Sequence, residues 1–359
     1  MSDARDLLTV AASRAADHLE RVDEMRVFPA DEAVGGLRSA LGSLQDEPVE
    51  AADVVRQLAD AVEPALVACA GPRYFGFVTG ATLPAALGAD VLCSAWDQNG
   101  YNAVTSPANA VVEDVAGAWL KELLGVPAAA STGFVTGAQG GNTVGLAAAR
   151  HHVLAAVGWD VPNQGLFGAP RIRVVATEER HATIDRALRL LGMGNSSLEP
   201  VPCDDQGRIR VAELERVLAD GPAAPTIVVL QAGNVNTGSF DDFAGAIPVA
   251  KAHGAWVHID GAFGLWASAS PALRHLMGGG ELADSWGTDG HKWLNVPYDA
   301  GYAFCAHPEA HRAAMSYSAA YLIANDGLRS PGDFVPDSSR RARGFATWAA
   351  LRQLGRTGV

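Results

Sequence analysis

Over residues 1 to about 70, apolar positions recur three or four apart: Leu7, Leu8, Val10 and Ala11, then Leu19 and Val22, then Val54, Val55, Leu58 and Val62. This spacing predicts two or three amphipathic helices, punctuated by Pro29, Gly35-Gly36 and Pro48. An arm of this kind needs a partner surface to cover its apolar faces. From Gly71 the pattern changes to Gly- and Pro-rich loops between helical stretches. Asn109 to Leu124 carries one stripe made of Val111, Val112, Val115, Trp119, Leu120, Leu123 and Leu124. After Ala130 short apolar runs appear at Arg171 to Ala176, Thr226 to Gln231, Ala255 to Asp260 and Gly301 to Cys305. Helical segments at Ile184 to Leu191, Val211 to Leu218 and Phe243 to His253 separate them. The alternation predicts an α/β fold with a mostly parallel sheet covered by helices, and ligands in such sheets sit beyond the carboxyl ends of the strands.

Composition narrows the class. The chain has 359 residues, enough for one large domain or two ordinary ones. Its apolar stretches are broken by charge or Gly well before the roughly 20 residues of a membrane span. The opening Met1-Ser2-Asp3-Ala4-Arg5-Asp6 lacks the basic and apolar regions of a secretory signal, so the expected location is the cytoplasm. Cys69, Cys93, Cys203 and Cys305 form no CxxC pair and read as buried thiols. A net charge of −13 with no basic stripe argues against nucleic acid and for a small-molecule substrate. Of 27 basic residues only Lys121, Lys251 and Lys292 are lysines, so each can be questioned singly.

Lys121 and Lys251 lie on helical stretches and read as solvated. Lys292 differs, following a strand expected at Asp284 to Gly287 and sitting between His291 and Trp293. An amine in such a partly desolvated turn can act as a nucleophile or form an imine. Trp256 to Asp260 reads as a strand ending in a carboxylate, followed by the small pair Gly261-Ala262, where a flat ring could rest. Alone, such an aspartate is more often a turn cap, and His258 with Asp260 lacks the further ligands that a metal site needs. Thr136-Gly137-Ala138-Gln139-Gly140-Gly141-Asn142 leads into a helix from Thr143 to His151, offering free N–H groups to an anion. His181 follows the strand ending at Ala176, and a lone histidine there is more often structural. The four features gain weight from their order, each at a strand or helix terminus. Together they suit a cofactor with a phosphate, a flat ring, a basic ring nitrogen and an aldehyde, the attributes of pyridoxal phosphate (PLP).

From about Pro72 onward the sequence resembles the group II amino acid decarboxylase family of fold-type I PLP enzymes. The anchors are the 136–142 run, Glu179-Arg180-His181-Ala182-Thr183-Ile184-Asp185, Gly233-Asn234-Val235-Asn236-Thr237-Gly238, His258-Ile259-Asp260-Gly261-Ala262-Phe263-Gly264, Asp289-Gly290-His291-Lys292-Trp293 and Ser339-Arg340-Arg341. The resemblance implies the fold-type I PLP-dependent transferase fold, with a seven-stranded-type sheet. It makes Lys292 the Schiff-base lysine, Asp260 the partner of the pyridinium nitrogen, His181 the ring stacked on the cofactor and Ala262 its opposite wall. Ala138, Gln139 and His291 hold the phosphate, and Asn234 stands where many relatives have Thr near the cofactor's edge. It also implies a homodimer with shared active sites, a loop at 97–102 lent to the partner, and Trp96, Asn99 and Tyr101 as substrate-pocket residues. The domains expected are an N-terminal arm at 1–70, a PLP-binding domain at 71–345, and the start of a small C-terminal domain at 346–359.

Two departures shape the functional expectation. Relatives carry a loop tyrosine shortly before the Arg-Arg pair that returns a proton after carbon dioxide leaves, and Asp326 to Phe334 has none; Tyr317 and Tyr321 lie earlier. Family chains also run roughly another hundred residues as a small domain, so a fragment or truncated gene model is expected. The leading expectation is decarboxylation of an L-amino acid, with aromatic substrates preferred, no metal, no nucleic acid and no membrane. Aldehyde synthesis or another PLP lyase reaction on the same scaffold stays open, as does a non-catalytic family member.

Overall fold

The computed structural model describes residues 4–317 and 327–359, in two compact units, Met1–Ala81 and Thr82–Val359. The first unit holds helices α1 (Ala4–Arg21), α2 (Asp31–Leu41) and α3 (Ala51–Val62), none of which contains a buried residue. Its helices are joined by ion pairs of Arg14 with Asp60 and Glu63, and Leu8, Leu19, Val54 and Leu58 are exposed. These helices therefore lack a core within their own unit.

The second unit begins with α4 (Pro84–Trp96) and α5 (Pro107–Leu124). Then come β1 (Ser131–Val135), α6 (Ala138–Ala155), the short α7 (Val161–Gln164), β2 (Arg173–Thr177), α8 (Ala182–Leu190), β3 (Leu198–Val201), α9 (Val211–Asp220), β4 (Thr226–Gln231), α10 (Phe243–Ala252), β5 (Trp256–Asp260), β6 (Ser285–Asp289), β7 (Gly301–Cys305), α11 (Pro308–Met315) and α12 (Gly344–Gly358). The strands form one seven-stranded sheet in the order β1-β7-β6-β5-β4-β2-β3. It is the fold-type I architecture expected. β7 runs antiparallel to both its neighbours and the remaining pairings are parallel.

The strands are apolar runs because both sheet faces are covered. On β4, Ile227 and Val229 pack with Leu146, Leu154, Ile184 and Leu188 of α6 and α8. Val228 and Leu230 point the other way, into the cluster holding Leu120 and Leu124 of α5, Leu214 of α9, Ile247 of α10 and Leu351 of α12. The result is a three-layer stack. α12 is part of it: Trp348 stacks on Trp119 at 6.3 Å, and Phe345 meets Trp96 edge-on at 5.3 Å.

A buried ion pair ties the loops to the sheet. Arg340 and Glu113, 0% and 1% exposed, pair at 2.7 Å. The same guanidinium donates to the carbonyls of Gly100 (2.9 Å) and Phe134 (3.0 Å), pinning the 97–102 loop to the strand that feeds α6.

Several sequence expectations are corrected. Lys121 is anchored rather than solvated, its Nζ donating to the carbonyls of Ala128 and Ala130, and burial lowers its pKa. Lys251 pairs with Asp284. Of the four cysteines, Cys93 and Cys305 are buried but Cys69 is exposed and Cys203 half-buried. The helix expected at Thr143 begins at Ala138, so the glycines at 140 and 141 are inside it. No helix among the described residues is long and apolar enough to cross a membrane, and no cluster there could hold a metal ion.

Candidate active site

Because β1, β2, β4, β5 and β6 run the same way, their carboxyl ends share one edge of the sheet. The candidate residues follow those ends: Ala138 and Gln139 after β1, His181 after β2, Asn234 after β4, Asp260 closing β5, and His291 and Lys292 after β6. The register explains how they meet. Asp260 sits opposite Gln231 on one side and Gly287 on the other, and Asp289 lies opposite Gly301.

Asp260 is 4% exposed. Burial raises its carboxyl pKa, while the charge of His181, the Ala262 N–H at 3.2 Å, a hydrogen bond from Asn142 and the charge of Lys292 draw it back down. A carboxylate so placed suits a cationic ring nitrogen, which supplies the charge that burial otherwise penalises. His181 is exposed and caps α8. Its Nδ1 accepts from the Thr183 N–H at 3.3 Å and lies 2.9 Å from the Thr183 hydroxyl.

The second half of the site is built for an anion. The first N–H of α6, from Ala138, donates to Asp289 Oδ1. His291 Nε2 approaches the same oxygen at 3.2 Å, and Lys292 Nζ lies 3.0 Å from Asp289 Oδ2. The backbone N–H of Ala300 donates to His291 Nδ1 at 3.3 Å, which leaves the Nε2 proton free to point at the cradle. Burial lowers the His291 pKa and the Asp289 charge opposes this. Tyr298 stacks on the His291 ring at 4.3 Å. A side chain at Gly137 would lie 2.9 Å from both Asp289 Oδ1 and His291 Cε1, so only glycine leaves the cradle open. The α6 N-terminus and the His291 imidazole are donors that suit a phosphate, the Lys292 amine suits an imine, and the buried Asp260 carboxylate at the same sheet edge suits a protonated pyridine. The residues present fit PLP.

The other expected residues have hydrogen-bond or packing partners of their own within the chain. Asn234 is buried, but its amide donates to the Glu179 carbonyl at 3.3 Å and its oxygen accepts from the N–H groups of Asn236 and Thr237. It braces its own loop. Gln139 donates to Thr143 Oγ1 and to the Thr183 carbonyl, each at 3.3 Å, linking α6 to α8. Asn99 Oδ1 accepts from the backbone N–H groups of Tyr101 and Arg340, and Tyr101 packs on Tyr317 at 5.9 Å. Trp96 is half-exposed beside Phe345. Tyr321 lies outside the described residues, and Tyr317 hydrogen-bonds Ser338 at 2.9 Å.

Sequence reading gave no role to Asn142, Thr183 and Asp289, although each stood inside an anchoring motif. Asn142 had a signal: it is the polar position among Gly141, Val144, Gly145 and Leu146, on the face of α6 turned to the sheet.

The pyridoxal-dependent decarboxylase conserved domain matches residues 38–359. Tryptophan decarboxylase 1 of Oryza sativa subsp. japonica is 29% identical over 98% of this chain and 72% of its own length. Aromatic-L-amino-acid decarboxylase of Rattus norvegicus is 30% identical over 96% of this chain and 74% of its own. The crystal structure of Oryza sativa TDC with PLP and tryptamine aligns with a TM-score of 0.89 at 25% identity, covering 99% of this chain and 75% of that one. The chain belongs to the pyridoxal-dependent decarboxylase family, carboxy-lyases whose cofactor is pyridoxal phosphate.

Proposed function

We propose that this protein decarboxylates L-amino acids, aromatic ones preferred, with PLP bonded as an imine to Lys292. The observation that carries the reading is the gathering at one sheet edge of the buried Asp260 carboxylate closing β5, His181 after β2, Lys292 after β6, and the Ala138 and His291 donors. When bound, the cofactor supplies an electron sink conjugated to the substrate's α-carbon. Asp260 keeps the ring nitrogen protonated. His181 and the small Ala262 would flank the ring on its two faces. Ala138, Gln139 and His291 hold the phosphate, and Asn234 shapes the loop at the cofactor's edge.

Substrate preference rests on the aromatic-acid decarboxylases to which the chain is similar and on Trp96 and Tyr101. In the homodimer we propose, Trp96 at the end of α4 and Asn99 and Tyr101 of the 97–102 loop reach the partner's site, and Arg340 stiffens that loop in its own chain. The coreless helices of the first unit cover a second copy.

A second reading is oxidative: dioxygen and water convert the amino acid to aldehyde, carbon dioxide, ammonia and hydrogen peroxide. It is favoured by the lack of a tyrosine in Gly327 to Phe334 and by the engagement of the Tyr317 hydroxyl with Ser338. Assaying amine, aldehyde and peroxide from a panel of L-amino acids separates the two readings. Amine without peroxide is expected, and aldehyde with peroxide and no amine overturns it. The cofactor linkage is read from an absorbance band at about 420 nm that borohydride removes and Lys292→Ala abolishes. A chain that stays colourless with added PLP refutes the assignment, and unchanged turnover in Asp260→Ala removes Asp260 from its role.

A further inference from the structure

Behind Asp260 lies a line of buried polar groups whose direction is set from its two ends, an indole that can only donate and a carboxylate that can only accept. Trp256 Nε1, a group that can only donate, gives its proton to Ser285 Oγ at 2.9 Å. The Ser285 hydroxyl is then free to donate to His258 Nδ1, also at 2.9 Å. With Nδ1 accepting, a neutral His258 carries its proton on Nε2, which faces Asn142 Oδ1 at 3.0 Å. Asn142 therefore turns its oxygen to His258 and its NH₂ to the side of Thr183 and Asp260, where it draws the Asp260 carboxyl pKa down. The second amide proton points to Thr183 Oγ1 at 3.4 Å, and that hydroxyl lies 2.9 Å from His181 Nδ1.

We infer that Trp256, Ser285, His258 and Asn142 form a one-way hydrogen-bond relay that positions Asp260, and through Thr183 also His181, for the cofactor ring. His258, Ser285 and Asn142 are completely buried, and Trp256 is 2% exposed, so no water competes for these bonds. Burial pushes the His258 pKa down to about 3, keeping the ring neutral and the polarity of the line constant. Two glycines make the room. A Cβ at Gly145 of α6 would lie 2.6 Å from the His258 ring, and one at Gly287 of β6 would lie 2.6 Å from Asn142 Oδ1. These four are positioning residues acting through Asp260, so the inference rests on Asp260 as the partner of the ring nitrogen. Hydrogen bonds to an ionised carboxylate lower its pKa, and an amide locked in one orientation delivers that effect without reorganising.

The relay itself can be tested without cofactor, in the full chain labelled with ¹⁵N-histidine. The histidine whose signals disappear in His258→Phe should show the Nε2–H tautomer and should not titrate between about pH 5 and 8. An Nδ1–H tautomer for His258, or titration in that range, overturns the inference. Its function is tested in the holoenzyme. Asn142→Leu and His258→Phe should move the acidic limb of both PLP affinity and kcat upward by about one pH unit, with KM nearly unchanged. His258→Gln, which retains a donor for Asn142, should restore the limb. Equal loss of stability in all three variants with an unmoved limb overturns the positioning role. A correct His258 tautomer together with unchanged turnover in Asp260→Ala would instead fault the reading of Asp260.

Discussion

Replacing Arg340 with methionine tests whether the buried ion pair stabilises the second unit and the loop that borders its site. Arg340 donates to both oxygens of Glu113, at 2.7 and 3.2 Å, and to the carbonyls of Gly100 and Phe134. Methionine fills most of the volume but leaves the Glu113 carboxylate buried with Asn109 as its remaining hydrogen-bond donor. Breaking a fully buried pair from one side costs about 3–5 kcal/mol, because the stranded charge is no longer compensated. For a unit of this size that is a fall in Tm of roughly 10 °C. Urea denaturation of wild type, Arg340→Met, Glu113→Leu and the double variant gives the coupling. The double variant should recover at least about 1 kcal/mol relative to the sum of the singles, since it removes the stranded charge. A cost below about 1 kcal/mol for Arg340→Met, or simple additivity, would refute the reasoning.

Acid stability should be set partly by buried histidines. Burial pushes His311 down to about 3 from 6.5, with Nδ1 facing Ser131 at 2.8 Å and Nε2 donating to the Phe334 carbonyl at 2.9 Å. Between those values the unfolded chain binds a proton that the folded chain does not, so stability is lost as pH falls, by about 1.4 kcal/mol per pH unit. His258 contributes in the same direction. Asp241 opposes both, since burial raises it from 3.8 to about 6 and its share of stability is lost as pH rises across that window. His311→Gln should flatten the pH dependence of the urea midpoint between about pH 6 and 4.5, and an unchanged slope would contradict the assignment. A different expectation concerns Asp289, whose carboxylate occupies the middle of the phosphate donors. Asp289→Asn removes a like charge and should tighten PLP binding by about tenfold, measured by titration of the apoprotein; weaker binding would show that Asp289 instead organises the cradle.

What the sequence determined by itself was local. Thr226 to Gln231 and Gly301 to Cys305 coincide with β4 and β7, because a strand buried on both faces is written as an uninterrupted apolar run. The helices at 211 and 243 likewise began where the period changed. Lys292, Asp260 and His181 stood out because each follows a strand end, and strand direction alone sends such residues to one edge. The antiparallel run of β7 was not legible, since an apolar run carries no direction. Neither was the work of Asn142, Arg340 and Asp289, whose partners lie 116, 227 and 151 residues away in sequence. Polarity along a buried hydrogen-bond line depends on which donors meet which acceptors. Only the packing of α6 onto β5 and β6 decides that.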